Sequence, residues 1–224
     1  MKMNLTDLEI RVLGSLMEKE LTTPENYPLS LNSLMSACNQ KSNRDPVLSL
    51  TESEVQKVLE GLGARGLARL TTTGGRVAKY VHSAADKLGL GVAARAILAE
   101  LMLRGAQTAG ELRNRAERMA PFADIEAVDA VLGELMRETP PMVVRLPRQP
   151  GRKEVRYAQV FGGMPELPEE VEEAEDVEPA RERALPYKLP MTGRLLKLEN
   201  EIADLRAETA ALRREVEEFL AQFG

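Results

Sequence analysis

The punctuation of this chain repeats, and the repeat limits what it can fold into. Thr6 and Glu9, Thr51 and Glu54, and Thr108 and Glu111 each stand three residues apart at the head of a patterned run. At that spacing the hydroxyl and the carboxylate each satisfy a backbone N–H that a helix start leaves unpaired. Behind Thr6, the residues Leu8, Val12, Leu13, Leu16 and Met17 recur at helical spacing and predict a helix to about Glu20. A loop over 22–28 with two prolines follows, then a short helix with Leu31, Leu34, Met35 and Cys38 inward. The polar stretch 39–46 ends it. Thr51 opens the next helix, carried by Val55, Val58, Leu59 and Leu62 and closed by Gly63 and Gly66. Residues 67–72 and 76–82 read as strands turned at Thr73-Gly74-Gly75.

The order then recurs. Val92, Ile97, Leu101 and Met102 mark a helix ending near Gly105. Thr108 caps a second with Leu112, Ala116 and Met119 inward. Asp124 caps a third, whose apolar face is Ile125, Val128, Val131, Leu132, Leu135 and Met136, and Pro140-Pro141 stops it. Residues 142–146 and 154–160 read as strands, turned at Gln149-Pro150-Gly151. Residue identity between the halves is low; the order of caps, faces and turns is the same.

Three helices followed by a two-stranded wing is the winged-helix order, a variant of helix-turn-helix. The expected fold class is mainly α with small β-hairpins (α+β), as two tandem winged-helix domains, 1–83 and 84–163. Hydrophobic residues make up 43% of the chain, aromatics 4%, and Trp is absent, so the core must be aliphatic. The single cysteine, Cys38, can form no internal disulfide and suits a reducing compartment. No apolar run approaches the roughly 18 residues of a membrane span, and the residues after Met1 show no apolar stretch or small-residue cleavage site of the kind a secretory leader would need. The expectation is a soluble, cytoplasmic protein without a membrane partner.

Past Gly162-Gly163 the composition shifts. Residues 164–190 hold five prolines and a carboxylate run from Glu169 to Glu178, and read as an acidic flexible linker. From 191 the pattern is periodic again: Leu195, Leu198, Ile202, Leu205, Thr209, Leu212, Val216 and Phe219 alternate three and four apart. That is a heptad seam. Flanking Arg194, Glu201 and Glu208 oppose Glu199, Arg206 and Arg213 in a parallel, in-register pair, all three with opposite signs. A parallel homodimer through a coiled-coil helix at 191–224 is favoured; the alternative is an amphipathic helix folded back onto its own modules.

The segment Leu21-Thr-Thr-Pro-Glu-Asn-Tyr-Pro-Leu-Ser-Leu-Asn-Ser-Leu, with Ala37-Cys-Asn-Gln-Lys-Ser-Asn-Arg-Asp-Pro46 and Gly75-Arg-Val-Ala-Lys-Tyr-Val-His82, is distinctive. It resembles the YceH-type family of uncharacterised bacterial proteins over about residues 5–162. The resemblance implies a tandem winged-helix fold and brings no activity with it.

Little in the residues points to chemistry. His82 is the only histidine and reads as a partly exposed strand-end residue; Cys38 reads as a buried small apolar one. No phosphate-binding glycine loop or zinc spacing occurs, and the carboxylates read as solvent-facing. The sequence argues against an enzyme and calls for no metal, cofactor or small-molecule ligand.

Nucleic acid or a protein partner remains. A winged helix ordinarily inserts its third helix into the major groove, yet here Glu52, Glu54 and Glu60 outnumber Lys57. In the second copy Asp124, Glu126, Asp129, Glu134 and Glu138 outnumber Arg137. Positive charge sits elsewhere. Candidate contacts are Gln40, Lys41, Asn43 and Arg44 in the loop, and Arg69, Arg76 and Lys79 on the first wing. The second half adds Arg113, Arg115, Arg148, Arg152 and Lys153. Up to residue 164 the chain carries +3, and beyond it −8. DNA binding through wings and loop therefore stands slightly ahead of a scaffold resembling the tandem winged-helix subunits of chromosome-segregation complexes. The 39–46 loop also has a purely structural reading, with Asn39 capping a helix and Asn43 and Asp45 shaping turns.

Overall fold

Thr6, Thr51 and Thr108 each close the reciprocal bond with the glutamate three residues on, and Asp124 accepts from the Ala127 N–H at 2.8 Å. These caps start four of the helices in a computed structural model of the chain, which describes residues 3–72, 77–148 and 154–165. By contact the chain divides into a unit spanning Met1–Glu172 and another spanning Glu173–Gly224. All described residues fall in the first.

The first half runs α1 (Asp7–Thr22), a 3-10 turn (Pro24–Asn26), β1 (Leu29–Ser30), α2 (Leu31–Cys38), α3 (Glu52–Ala64), β2 (Ala68–Thr71) and β3 (Lys79–His82). A short α4 (Ala84–Leu88) leads on to α5 (Val92–Arg104), α6 (Ala109–Ala116), α7 (Ile125–Arg137), β4 (Val143–Arg145) and β5 (Tyr157–Gln159). The fold is α+β: seven helices among the described residues, and two small antiparallel sheets.

The first sheet has the order β1-β3-β2, with Leu29 opposite Tyr80 and Arg69 opposite Val81. In the second, β4 pairs with β5, and Gln107 bridges Tyr157 on the other edge. In both halves, then, the backbone between the first and second helices pairs with the last strand. β1 and α4 were not foreseen from the sequence. The strands are shorter than expected, although in the second hairpin Leu146 still donates to the Arg156 carbonyl and Val160 to that of Met142 beyond the strand ends. The turns at 73–75 and 149–151, the linker and the heptad segment lie outside the described residues.

The helices α1 and α5 are the spine. Glu9 through Glu18 of α1 are all buried, as are Ala96 through Leu103 of α5. A helix buried on every side must be enclosed by protein all round; each of these two supplies part of the other's cover. Gly14 makes the approach close enough: a Cβ there would stand 2.8 Å from Met102 Cβ. One apolar cluster runs from Leu5 and Val12 through Leu62 to Leu132 and Phe161, so the two halves share a core.

Candidate interaction surface

Three of the cations nominated for a phosphate backbone, Arg44, Arg113 and Arg115, are engaged elsewhere. Arg44 is the plainest correction: its side chain has no exposure. It grips Glu18, donates from Nε to the Ala37 carbonyl at 3.0 Å, and from Nη1 to the Asn43 carbonyl at 2.8 Å. A guanidinium in the interior cannot reach a phosphate. Asn43 takes a left-handed φ of 54° and accepts from Arg104 at 3.1 Å. Asn39 exchanges two 2.8 Å bonds with the backbone of Leu50, and the Asp45 N–H donates to the Leu103 carbonyl. The 39–46 loop is therefore a clasp that ties α2 to α1 and α5. Of its remaining candidates Gln40 is half-buried and Lys41 exposed.

In the second half Arg113 donates to the Ala123 carbonyl, and Arg115 to Gln107 at 2.6 Å and Glu111 at 3.4 Å. Arg69 and Arg148 are exposed and Lys79 half-buried, with no ion pair among the described residues; the same holds for exposed Arg145. Arg69 and Lys79 stand on one face of the first sheet, because Arg69 opposes Val81 while Lys79 opposes Thr71. Arg76, Arg152 and Lys153 lie outside the described residues, as do the dimer-seam candidates 195–219.

The outer faces of α3 and α7 are acidic. On α3 the exposed side chains include Glu52, Glu54 and Glu60 with Lys57; on α7 they include Glu126, Asp129 and Glu134 with Arg137 and, at 45%, Ile125. The hydrogen bonds from Thr51 hold the Glu54 carboxyl below its ordinary range, so that charge is firmly ionised.

Two ionic clusters lie inside, both missed by sequence reasoning, which placed the carboxylates in solvent. In the first, Arg118 bridges Glu18 of α1 at 2.5 Å and Glu100 of α5 at 2.9 Å, while Arg44 holds Glu18 from the other side. Burial pushes Glu100 up and would do the same to Glu18, but bonds from Arg44 and Arg118 outweigh it there and hold Glu18 down. The signal was present: Glu18 follows Leu16-Met17, and Glu100 sits between Leu98-Ala99 and Leu101-Met102. In the second, Glu20 takes His82 Nε2 at 2.9 Å together with Arg95, and the His82 N–H donates to Tyr27 Oη at 2.8 Å.

His82 is thus buried, its ring 1% exposed, because Tyr27 and Glu20 close over it from distant parts of the chain. Cys38 is buried as expected, and burial pushes its thiol up, away from nucleophilic character. The partner of the His82 ring is Glu20, not a thiol. Among the described residues no group of His, Cys, Asp and Glu could hold a metal ion, and no helix is long and apolar enough to cross a membrane.

The family model described as "Protein of unknown function, DUF480" matches residues 5–152. The chain belongs to the DUF480 family. It is similar to a UPF0502 protein of Citrifermentans bemidjiense, 63% identical over 100% of both chains. A UPF0502 protein of Geobacter sulfurreducens is 54% identical, again over 100% of each. One from Geotalea uraniireducens is 63% identical over 92% of each. The DUF480 match covers every described helix and stops short of β5 and the acidic segment, whereas two of these relatives match to the end. The YceH-type resemblance points to the same uncharacterised bacterial family, and none of these names carries an activity.

Proposed function

We propose that this DUF480 protein is a non-catalytic docking protein of the cytoplasm. Two winged-helix modules, 1–83 and 84–163, present acidic third helices to protein partners, and a coil at 191–224, reached through the 164–190 linker, pairs two chains in parallel. The repeated order of elements supports the modules, as does the equivalent pairing of Leu29 with Tyr80 and Gln107 with Tyr157.

One observation carries the choice of partner: the outer faces of α3 and α7 are acidic, while several of the arginines that could neutralise phosphates bond within the fold. Arg44, Arg113, Arg115 and Arg118 bond internal carbonyls and carboxylates, while α3 and α7 turn carboxylates outward. Such helices would meet a phosphate backbone with repulsion in place of counterion release. DNA binding, which the sequence ranked first, keeps a footprint in Lys41, Arg69, Lys79, Arg145 and Arg148. Titrating the full chain against duplex DNA across salt separates the two: absence of binding at low salt supports docking on protein, and affinity that falls with salt supports DNA.

A further inference from the structure

The ties between the two halves are spread along the whole length of α1 and α5. Glu20, near the end of α1, holds Arg95 near the start of α5, while Gly14 lies against Met102 and Leu103 towards the end of α5. The two helices therefore run antiparallel. Where α5 ends, the Asp45 N–H donates to the Leu103 carbonyl at 2.9 Å and Arg104 donates to Asn43 Oδ1 at 3.1 Å. Ahead of α1, the Leu5 N–H donates to the Phe161 carbonyl at 2.7 Å. Gly162 lies so close to Ile10 that a Cβ would stand 3.1 Å from its Cδ1. Arg118 bridges the fully buried Glu18 of the first half and Glu100 of the second.

Two domains in one chain move against each other by default, unless their interface is large and apolar. Hinge closure also needs a few residues that absorb the change while the remaining contacts part. Here a rotation that opens one end of the α1–α5 pair breaks either the Glu20–Arg95 bond or the bonds to Leu103 and Arg104. Either opening strains the Arg118 bridge, and separating buried carboxylates from their guanidinium is strongly unfavourable. We infer that the two halves form one hinge-free body that holds α3 and α7 at a single spacing.

The link to those helices is direct, since α3 packs against α1 and α7 against α5. The use of this rigidity rests on the docking reading above. A partner touching both helices must match a preset spacing, and the ordering has been completed in folding, so it costs nothing at binding.

Single-molecule energy transfer on the full chain tests the inference without a partner, so its outcome is independent of what α3 and α7 bind. Lys57→Cys on α3 and Glu134→Cys on α7 place dyes at exposed positions, and the native Cys38 is buried. Particles carrying one donor and one acceptor should give one narrow distribution, unchanged in urea until the unfolding midpoint, then a single jump to the unfolded value. A second pair, Gln56→Cys with Arg137→Cys, should behave alike; both positions are exposed. A second folded population in either pair, or a distribution that widens or drifts before the midpoint, overturns the inference.

Discussion

Arg44 holds Glu18 in a fork, Nη1 to Oε1 at 3.1 Å and Nη2 to Oε2 at 2.5 Å, with neither side chain exposed to solvent. The pair joins the 39–46 loop to α1, and Arg118 extends it to α5. Replacing Arg44 by Met leaves a buried carboxylate short of a partner and the Ala37 carbonyl without its donor. We expect a loss of about 3–5 kcal/mol in urea unfolding. Lys at this position should not restore it, because one ammonium cannot reproduce the fork. A loss under about 1 kcal/mol would contradict the role given to the pair.

The two buried glutamates should titrate with opposite effect. Glu18, held below the usual carboxylate value, contributes stability that is present above its unfolded pKa and is lost as pH falls through the folded one. Glu100, pushed up mainly by burial, contributes stability present below its unfolded pKa and lost as pH rises through the folded one. Urea unfolding from acid to neutral pH should therefore show Glu100→Gln gaining on the wild type as pH rises. Glu18→Gln should be weakest near neutrality and approach the wild type in acid. Parallel curves for either variant would refute the assignment.

Gly14 sets the distance between α1 and α5. An alanine methyl would stand 2.8 Å from Met102 Cβ and 3.3 Å from Leu103, both in the packed core. Gly14→Ala should cost about 1–3 kcal/mol by overpacking. Gly110→Ala in α6 meets nothing nearer than Thr108 Oγ1 at 4.0 Å and should be neutral or gain up to about 1 kcal/mol. Thermal unfolding of both, side by side, checks the contrast.

The proposed coil predicts that the full chain sediments as a dimer. Leu198→Glu together with Leu205→Glu puts charge on the seam of both partners and should yield a monomer. A dimer that survives both substitutions would move the interface elsewhere.

What the sequence disclosed was local. The caps at Thr6, Thr51, Thr108 and Asp124 are decided within three residues, and the order of helices and strands follows from them. The buried charges are decided far away: Glu18 meets Arg44 across 26 positions and Arg118 across 100. His82 was misjudged for the same reason, since Tyr27 and Glu20 cover it from 55 and 62 positions off. Periodicity gave α1 and α5 one inner face each; only their mutual packing buries the rest. β1 is two residues long and exists through its pairing with β3. Among the candidate contacts, charge alone could not separate Arg44, which builds the interior, from Lys41, three residues before it and exposed.

Fluorescence anisotropy of a labelled duplex titrated with the full chain, begun at the lowest workable salt, bears most directly on the docking account. Outward carboxylates on α3 and α7, with Arg44, Arg113, Arg115 and Arg118 bonded within the fold, predict a flat trace. A rise in anisotropy whose log affinity declines linearly with log salt, and which vanishes when Lys41, Arg69 and Lys79 become Glu, would contradict it and return the protein to DNA.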